Sequence, residues 1–223
     1  MERSTIRGFM DLDGTLLDWK RLFVFVYSDM LSRGHSCTRI DETLEELNRT
    51  GYSFATHLSL LGESESSIQV LVDRYRRNMF RAYDCLLPGV PEMIVKIASM
   101  AELTLITFGD ASYQRMKWDG LVKLHRYFRQ TIFVGSDTKA AVISTYPVNS
   151  RTFLVDDSSR ELCAMLELAP WVRRVRMMHP DMQVQPHEFD GVEWDVVKSA
   201  AELLEWVRHF VHSEGADNGH QKV

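Results

Sequence analysis

Three cysteines are all the chain has, Cys37, Cys85 and Cys163. An odd, widely spaced set in no metal-ligand pattern excludes a disulfide framework and a zinc site, and leaves reduced, mostly buried thiols as the expectation. Long apolar runs are missing too. The longest near the N-terminus, Leu22 to Tyr27, is too short for a bilayer and lacks the small-residue cleavage site of a secretory signal, so a cytoplasmic protein without a membrane partner is expected. Positive charge is not in excess: 26 Lys and Arg against 31 Asp and Glu give −5, which removes a sequence-independent grip on nucleic acid or anionic lipid. His35, His57 and His179 share no ligand spacing and read as surface or packing residues. Arg173, Arg174 and Arg176 read as a solvated face. No internal repeat, low-complexity tract or Gly-Lys-Thr phosphate loop occurs, the last arguing against a nucleotide-driven kinase.

What is present is the composition of a globular protein, 45% hydrophobic and 26% charged over 223 residues, enough for one domain, or for one core domain with a smaller insertion. Ile6 to Asp11 reads as a short buried strand ending in an acidic, glycine-containing turn. From Trp19 to Tyr83 apolar residues recur at helical spacing, as in Leu22, Phe25 and Val26 or Ile68, Leu71, Val72 and Tyr75, which predicts about four helices and no strand. After Pro91 the pattern alternates. Strands are expected at Leu103–Thr107, Thr131–Val134, Thr152–Val155 and Val172–Met177, and a last one at Asp195–Val197. Helices are expected at Tyr113–Trp118, Thr138–Tyr146, Ser159–Leu168 and Ala200–Val211. That alternation is the signature of an α/β fold, a Rossmann-like parallel sheet covered on both faces. The expected division is residues 1–18 and 84–212 as the α/β core, 19–83 as an inserted small α-helical cap, and 213–223 as a flexible polar tail.

Asp11-Leu12-Asp13-Gly14-Thr15 falls at the carboxyl end of the first strand, where open parallel sheets place their ligands. Two carboxylates two residues apart in extended chain point the same way and repel, so they call for a cation or a shared proton. Read alone, an Asp-Gly pair after a strand is an ordinary turn. Thr107 ends the next strand before Phe108-Gly109-Asp110, as a helix cap would or as a phosphate-oxygen site would. Lys139 stands in the first turn of a helix, where its charge is unfavourable by about 0.3–1 kcal/mol unless an anion is near. Asp156-Asp157-Ser158-Ser159 follows another strand, as an N-cap does. In a parallel sheet all four strand ends share one edge, so these groups converge.

With these residues in view, the sequence from Ile6 to about Phe210 resembles the haloacid dehalogenase superfamily of hydrolases. Asp11-Leu12-Asp13-Gly14-Thr15-Leu16 matches that family's first motif and Thr107 its second. Lys139 fits the third, with Lys117 as its rival, and Asp156-Asp157 is similar to the Asp-Asp form of the fourth. The resemblance implies a helical cap between the first and second motifs and magnesium at the strand ends. It implies a phosphatase rather than a dehalogenase, since dehalogenases lack the second acid of the first motif, here Asp13.

On that resemblance Asp11 is the nucleophile and Asp13 the general acid/base. Thr107 and Lys139 bind the phosphate, and magnesium is held by Asp11, the Asp13 carbonyl and Asp157. Asp156 is a supporting or alternate ligand, and Glu161 takes the later acidic position. Trp19, Lys20, Tyr52, Phe54 and His57 are candidates to face substrate from the cap, with aromatic packing the competing reading of Tyr52, Phe54 and His57. The expected partner is a small phosphorylated metabolite, hydrolysed through an aspartyl-phosphate. A phosphomutase or a non-catalytic phosphate- and metal-binding module are the alternatives.

Overall fold

Strand β1 (Arg7–Met10) is only four residues long, yet it lies in the middle of the sheet. A computed structural model describes residues 5–50, 52–149, 151–180 and 194–213; the expected tail, beyond Ser213, lies outside them. The other strands are β2 (Glu102–Phe108), β3 (Phe128–Val134), β4 (Thr152–Asp156), β5 (Arg173–Met177) and β6 (Asp195–Val197). They form one sheet in the order β3-β2-β1-β4-β5-β6, and every neighbouring pair is parallel. The chain therefore has the Rossmann-like α/β architecture that the alternation of elements implied.

Strand periodicity sorts the apolar side chains into two layers. Met10, Leu103, Leu105, Phe153 and Val155 point to one face. There they meet Ile94 and Ile97 of α5 (Val90–Ala98), Tyr113 and Met116 of α6 (Ala111–Asp119) and Leu203 and Val207 of α10 (Ala200–Ser213). Phe9, Ile106 and Leu154 point to the other, against Ala140 and Ile143 of α8 (Lys139–Ser144) and Leu162 and Met165 of α9 (Ser159–Leu168). Both faces being covered is why these strands read as near-continuous apolar runs. A short α7 (Val122–His125) precedes β3.

β3 starts three residues earlier than its apolar run. Arg129 and Gln130 are exposed at its outer edge, so hydrophobicity does not announce them, while pairing with β2 extends the ladder to Phe128. Side-chain caps set the helix starts. Asp110 accepts the Tyr113 N–H at 2.8 Å, Thr138 the Ala141 N–H at 3.1 Å and Ser158 the Glu161 N–H at 3.4 Å, each satisfying one of the donors a helix leaves orphaned at its N-terminus.

Between β1 and α5 the chain forms α1 (Trp19–Ser32), α2 (Cys37–Thr50), α3 (Phe54–Leu60), α4 (Glu65–Asn78) and a 3-10 turn, Met79–Cys85. Its two connections run side by side: the Asp18 N–H donates to Cys85 O and the Leu87 N–H to Leu16 O, both at 2.9 Å. Leu22, Val26, Leu58 and Leu71 join the same apolar cluster as Met10 and Tyr113, so the interior of the insertion is continuous with that of the sheet. No helix among the described residues is long and apolar enough to cross a membrane.

Candidate active site

The loop after β1 turns at once. The N–H of Asp11 still bonds Val155 O at 3.0 Å, keeping it in the ladder with β4, and then Leu16 and Leu17 both donate to Leu12 O at 2.9 Å. Gly14 takes φ +79°, a left-handed conformation that a side chain disfavours, and a Cβ there would overlap the Asp157 carboxylate. That glycine lets the Asp11–Asp13 loop and the end of β4 lie against each other.

Lys139, 3% exposed, is the positive centre of the site. Its Nζ donates to Asp11 Oδ1 at 2.5 Å and to Asp156 Oδ2 at 2.6 Å. The misplaced charge at the start of α8 is thus met by two carboxylates from neighbouring strands. Burial on its own would lower the ammonium's pKa, and Asp11 and Asp156 more than reverse this, so the lysine stays charged. Asp156, fully buried, spends its other oxygen on the Ser158 N–H at 2.9 Å. Glu161 accepts the Lys139 backbone N–H at 2.9 Å, capping α8 and fixing where the lysine stands.

The carboxylates outnumber their counter-ions. Burial pushes Asp11 well above the ordinary carboxyl range, Lys139 pulls it back, and Asp156, Asp157 and Asp13 push it up again. Asp157 is raised to about 7, by burial first and by Asp156 next. Asp11, Asp156 and Asp157 can each offer an oxygen such that all lie within 4.8 Å of one another. A hard divalent cation bound through oxygen would relieve that excess negative charge, so the donor set is compatible with the magnesium that the resemblance implies. The acid grouped with Asp11 and Asp157 by its carboxylate is Asp156; Asp13 turns its carboxylate elsewhere.

That carboxylate faces α6. Its Oδ2 accepts from Gln114 Nε2 at 3.0 Å and from the Lys117 ammonium. Gln114 also accepts the Thr107 hydroxyl on Oε1, at 3.2 Å, and donates to Phe108 O at 3.0 Å. Both lysines that competed for one motif therefore reach carboxylates, Lys139 at Asp11 and Lys117 at Asp13. Gln114 carried no sequence signal, because a glutamine in mid-helix reads as solvated surface.

The insertion's candidates divide. His57 is fully buried, within reach of Thr43 Oγ1 at 2.9 Å and Tyr52 Oη at 3.1 Å, and stacks on Phe23. Burial lowers its pKa to about 4. Tyr52 and Phe54 set their rings against Tyr113 of α6, at 5.0 and 4.5 Å between centroids. For Tyr52 and His57 aromatic packing is thus the arrangement found. Trp19 and Lys20 open α1, half-buried, with the Lys20 ammonium 6.0 Å from the Trp19 ring centre.

No family model matches the chain, and no curated protein matches it in sequence. Solved structures do match in fold. A haloacid dehalogenase-like hydrolase from Burkholderia xenovorans superposes with a TM-score of 0.71 at 18% identity, covering 94% of this chain and 99% of its own. YfnB from Bacillus subtilis, a HAD-hydrolase solved bound to magnesium, gives 0.62 at 15% identity over 92% of this chain and 99% of its own. CbbY from Rhodobacter sphaeroides, solved as a mutant in complex with xylulose-1,5-bisphosphate, gives 0.60 at 15% identity over 89% and 96%. A dehalogenase is also among the similar structures. With the carboxylates and lysines gathered at the carboxyl edge of the sheet, the chain has the fold of the haloacid dehalogenase-like hydrolases.

Proposed function

We propose that this protein belongs to that superfamily by function as well as fold, and that it is a magnesium-dependent phosphatase of small phosphorylated metabolites working through an aspartyl-phosphate on Asp11. The observation that carries the reading is the Lys139 ammonium shared between Asp11 and Asp156, with Asp157 close enough to complete a three-carboxylate cluster. Asp13, a second acid two residues from the first, supports phosphoryl transfer over dehalogenation. Residues 19–83 serve as the cap over a core of residues 1–18 and 84–212.

Lys139 holds Asp11 Oδ1, leaving the second carboxylate oxygen, Oδ2, to attack phosphorus. The new Oδ2–P bond forms as the bond from phosphorus to the leaving oxygen breaks, and Asp13 gives that oxygen its proton. Asp13 then takes a proton from water, which attacks phosphorus, releases phosphate and restores the Asp11 carboxylate. Thr107 and Lys139 are placed to meet phosphoryl oxygens, where charge accumulates. Magnesium, held by Asp11 and Asp157 with Asp156 in support and the Asp13 carbonyl as a further oxygen, would offset the repulsion between carboxylate and phosphate.

A panel of phosphorylated metabolites tests this, assayed for phosphate release with magnesium and with a chelator. Sugar phosphates come first, given the ligand of the CbbY structure. Release that needs magnesium and is abolished by Asp11→Asn supports the reading; no release from any member, or release that survives Asp11→Asn, contradicts it.

A further inference from the structure

Gln114 and Lys117 stand three residues apart on α6 and so share a face of that helix. Both grip the same atom, Asp13 Oδ2. Lys117 is 1% exposed, its ammonium lies 4.4 Å over the Tyr113 ring, and burial lowers its pKa against the pull of Asp13. A lysine set so deep is costly unless its charge is matched, and Asp13 is the acid it meets. The other oxygen of that carboxylate, Oδ1, is buried without a hydrogen-bond partner among the described residues. One oxygen is doubly held and the other is left empty.

We propose that Lys117, helped by Gln114, is a positioning residue for Asp13: it pins Oδ2 so that Oδ1 is the oxygen that hands a proton to the leaving group and takes one from water. The proposal rests on the phosphatase reading above. Gln114 adds a link, because its Oε1 accepts from Thr107 and its Nε2 donates to Asp13, which ties the acid to a phosphate-binding position through one side chain. Neither residue touches the reacting atoms; each acts through Asp13.

The test compares Lys117→Met, Lys117→Arg and Gln114→Leu with the unaltered protein on two substrates, p-nitrophenyl phosphate and an alkyl phosphate, with rapid-quench measurement of phosphoenzyme. A nitrophenolate needs little protonation on leaving, so with that substrate the positioning loss should fall on the second step. Lys117→Met should lower kcat by roughly 10–100-fold, a part of the about 10²–10⁴-fold that general acid/base catalysis supplies. Phosphoenzyme should accumulate, and kcat/KM should stay within about threefold of the unaltered value. With the alkyl phosphate kcat/KM should fall with kcat.

Lys117→Arg should recover part of the loss, and Gln114→Leu should act in the same direction more weakly. In metal-free protein, the melting-temperature shifts of Lys117→Met and Asp13→Asn should combine to less than their sum. Equal loss on both substrates without phosphoenzyme build-up, or additive melting shifts, overturns the proposal. If Lys117→Met does not fold, Gln114→Leu decides by the same criteria. A protein that releases phosphate through Asp11 while these variants behave as unaltered fails this proposal alone; one that forms no phosphoenzyme and releases no phosphate fails the phosphatase reading itself.

Discussion

Lys139 and Asp11 stand 128 residues apart in the chain and meet in a buried ion pair, Nζ to Oδ1 at 2.5 Å. Because Asp156 shares the same ammonium, the lysine joins the central strand to its neighbour at the edge where the chemistry is proposed to occur. Removing it leaves two buried carboxylates facing each other without their counter-ion.

Lys139→Ala should therefore cost both stability and turnover. Breaking a buried ion pair from one side typically costs about 3–5 kcal/mol, and urea unfolding in the presence of a chelator would read that loss directly. Magnesium should restore part of the stability by supplying positive charge to the same cluster. A variant as stable as the unaltered protein without metal would show that the pair contributes little to the fold.

Asp157→Asn should have effects of opposite sign with and without metal. Its folded pKa, about 7, is raised from 3.8, so the carboxyl favours the fold when protonated, and that contribution is lost as pH rises through about 7. At pH 8 in chelator the asparagine should make the protein more stable, by about 4 kcal/mol at most. Losses in the outer shell of metal sites alone cost about 10–100-fold in affinity, so losing a direct oxygen should weaken magnesium binding at least that much. Titration of magnesium by calorimetry and unfolding in chelator check the two halves separately.

His57 gives a pH dependence remote from the chemistry. Burial lowers its pKa from 6.5 to about 4, so the unfolded chain takes up its proton first as pH falls. Stability is at its full value above about 6.5 and declines towards pH 4, by roughly 3 kcal/mol when the shift is fully expressed. His57→Gln should flatten unfolding free energy across that window. An unchanged slope would mean that His57 titrates alike in the folded and unfolded chain.

The ends of β1, β2 and β4 were legible because each is a largely apolar run that meets a polar residue: Asp11, Thr107, Asp156. Parallel topology then turns a list of strand ends into one edge. Lys139 could be read from its odd place in a first helical turn. What could not be read lies on α6, where Gln114 looks in sequence like any solvated helical face and Lys117 is legible only as a rival for the third motif; the docking of that helix beside β2 shows that both point inward and hold Asp13. The same limit applies to Tyr52 and His57. Their residue types suit a substrate-facing loop as well as an aromatic core, and the contacts with Phe23 and Tyr113 decide for the core.

Asp13→Asn should separate the two chemical steps. With p-nitrophenyl phosphate the phosphoenzyme should form and persist, because attack by Asp11 needs little acid help while hydrolysis needs a proton acceptor. Rapid quench that finds both steps slowed equally, or neither, would remove Asp13 from the acid/base role.

Passage of phosphate through Asp11 can be seen by mass spectrometry of acid-quenched protein after brief exposure to magnesium and a phosphorylated substrate. One phosphorylated residue is expected, Asp11, whose modification disappears on a substrate-free chase and is missing from Asp11→Asn. Turnover with the modification on another residue, or turnover with Asp11 never modified at any quench time, would contradict it.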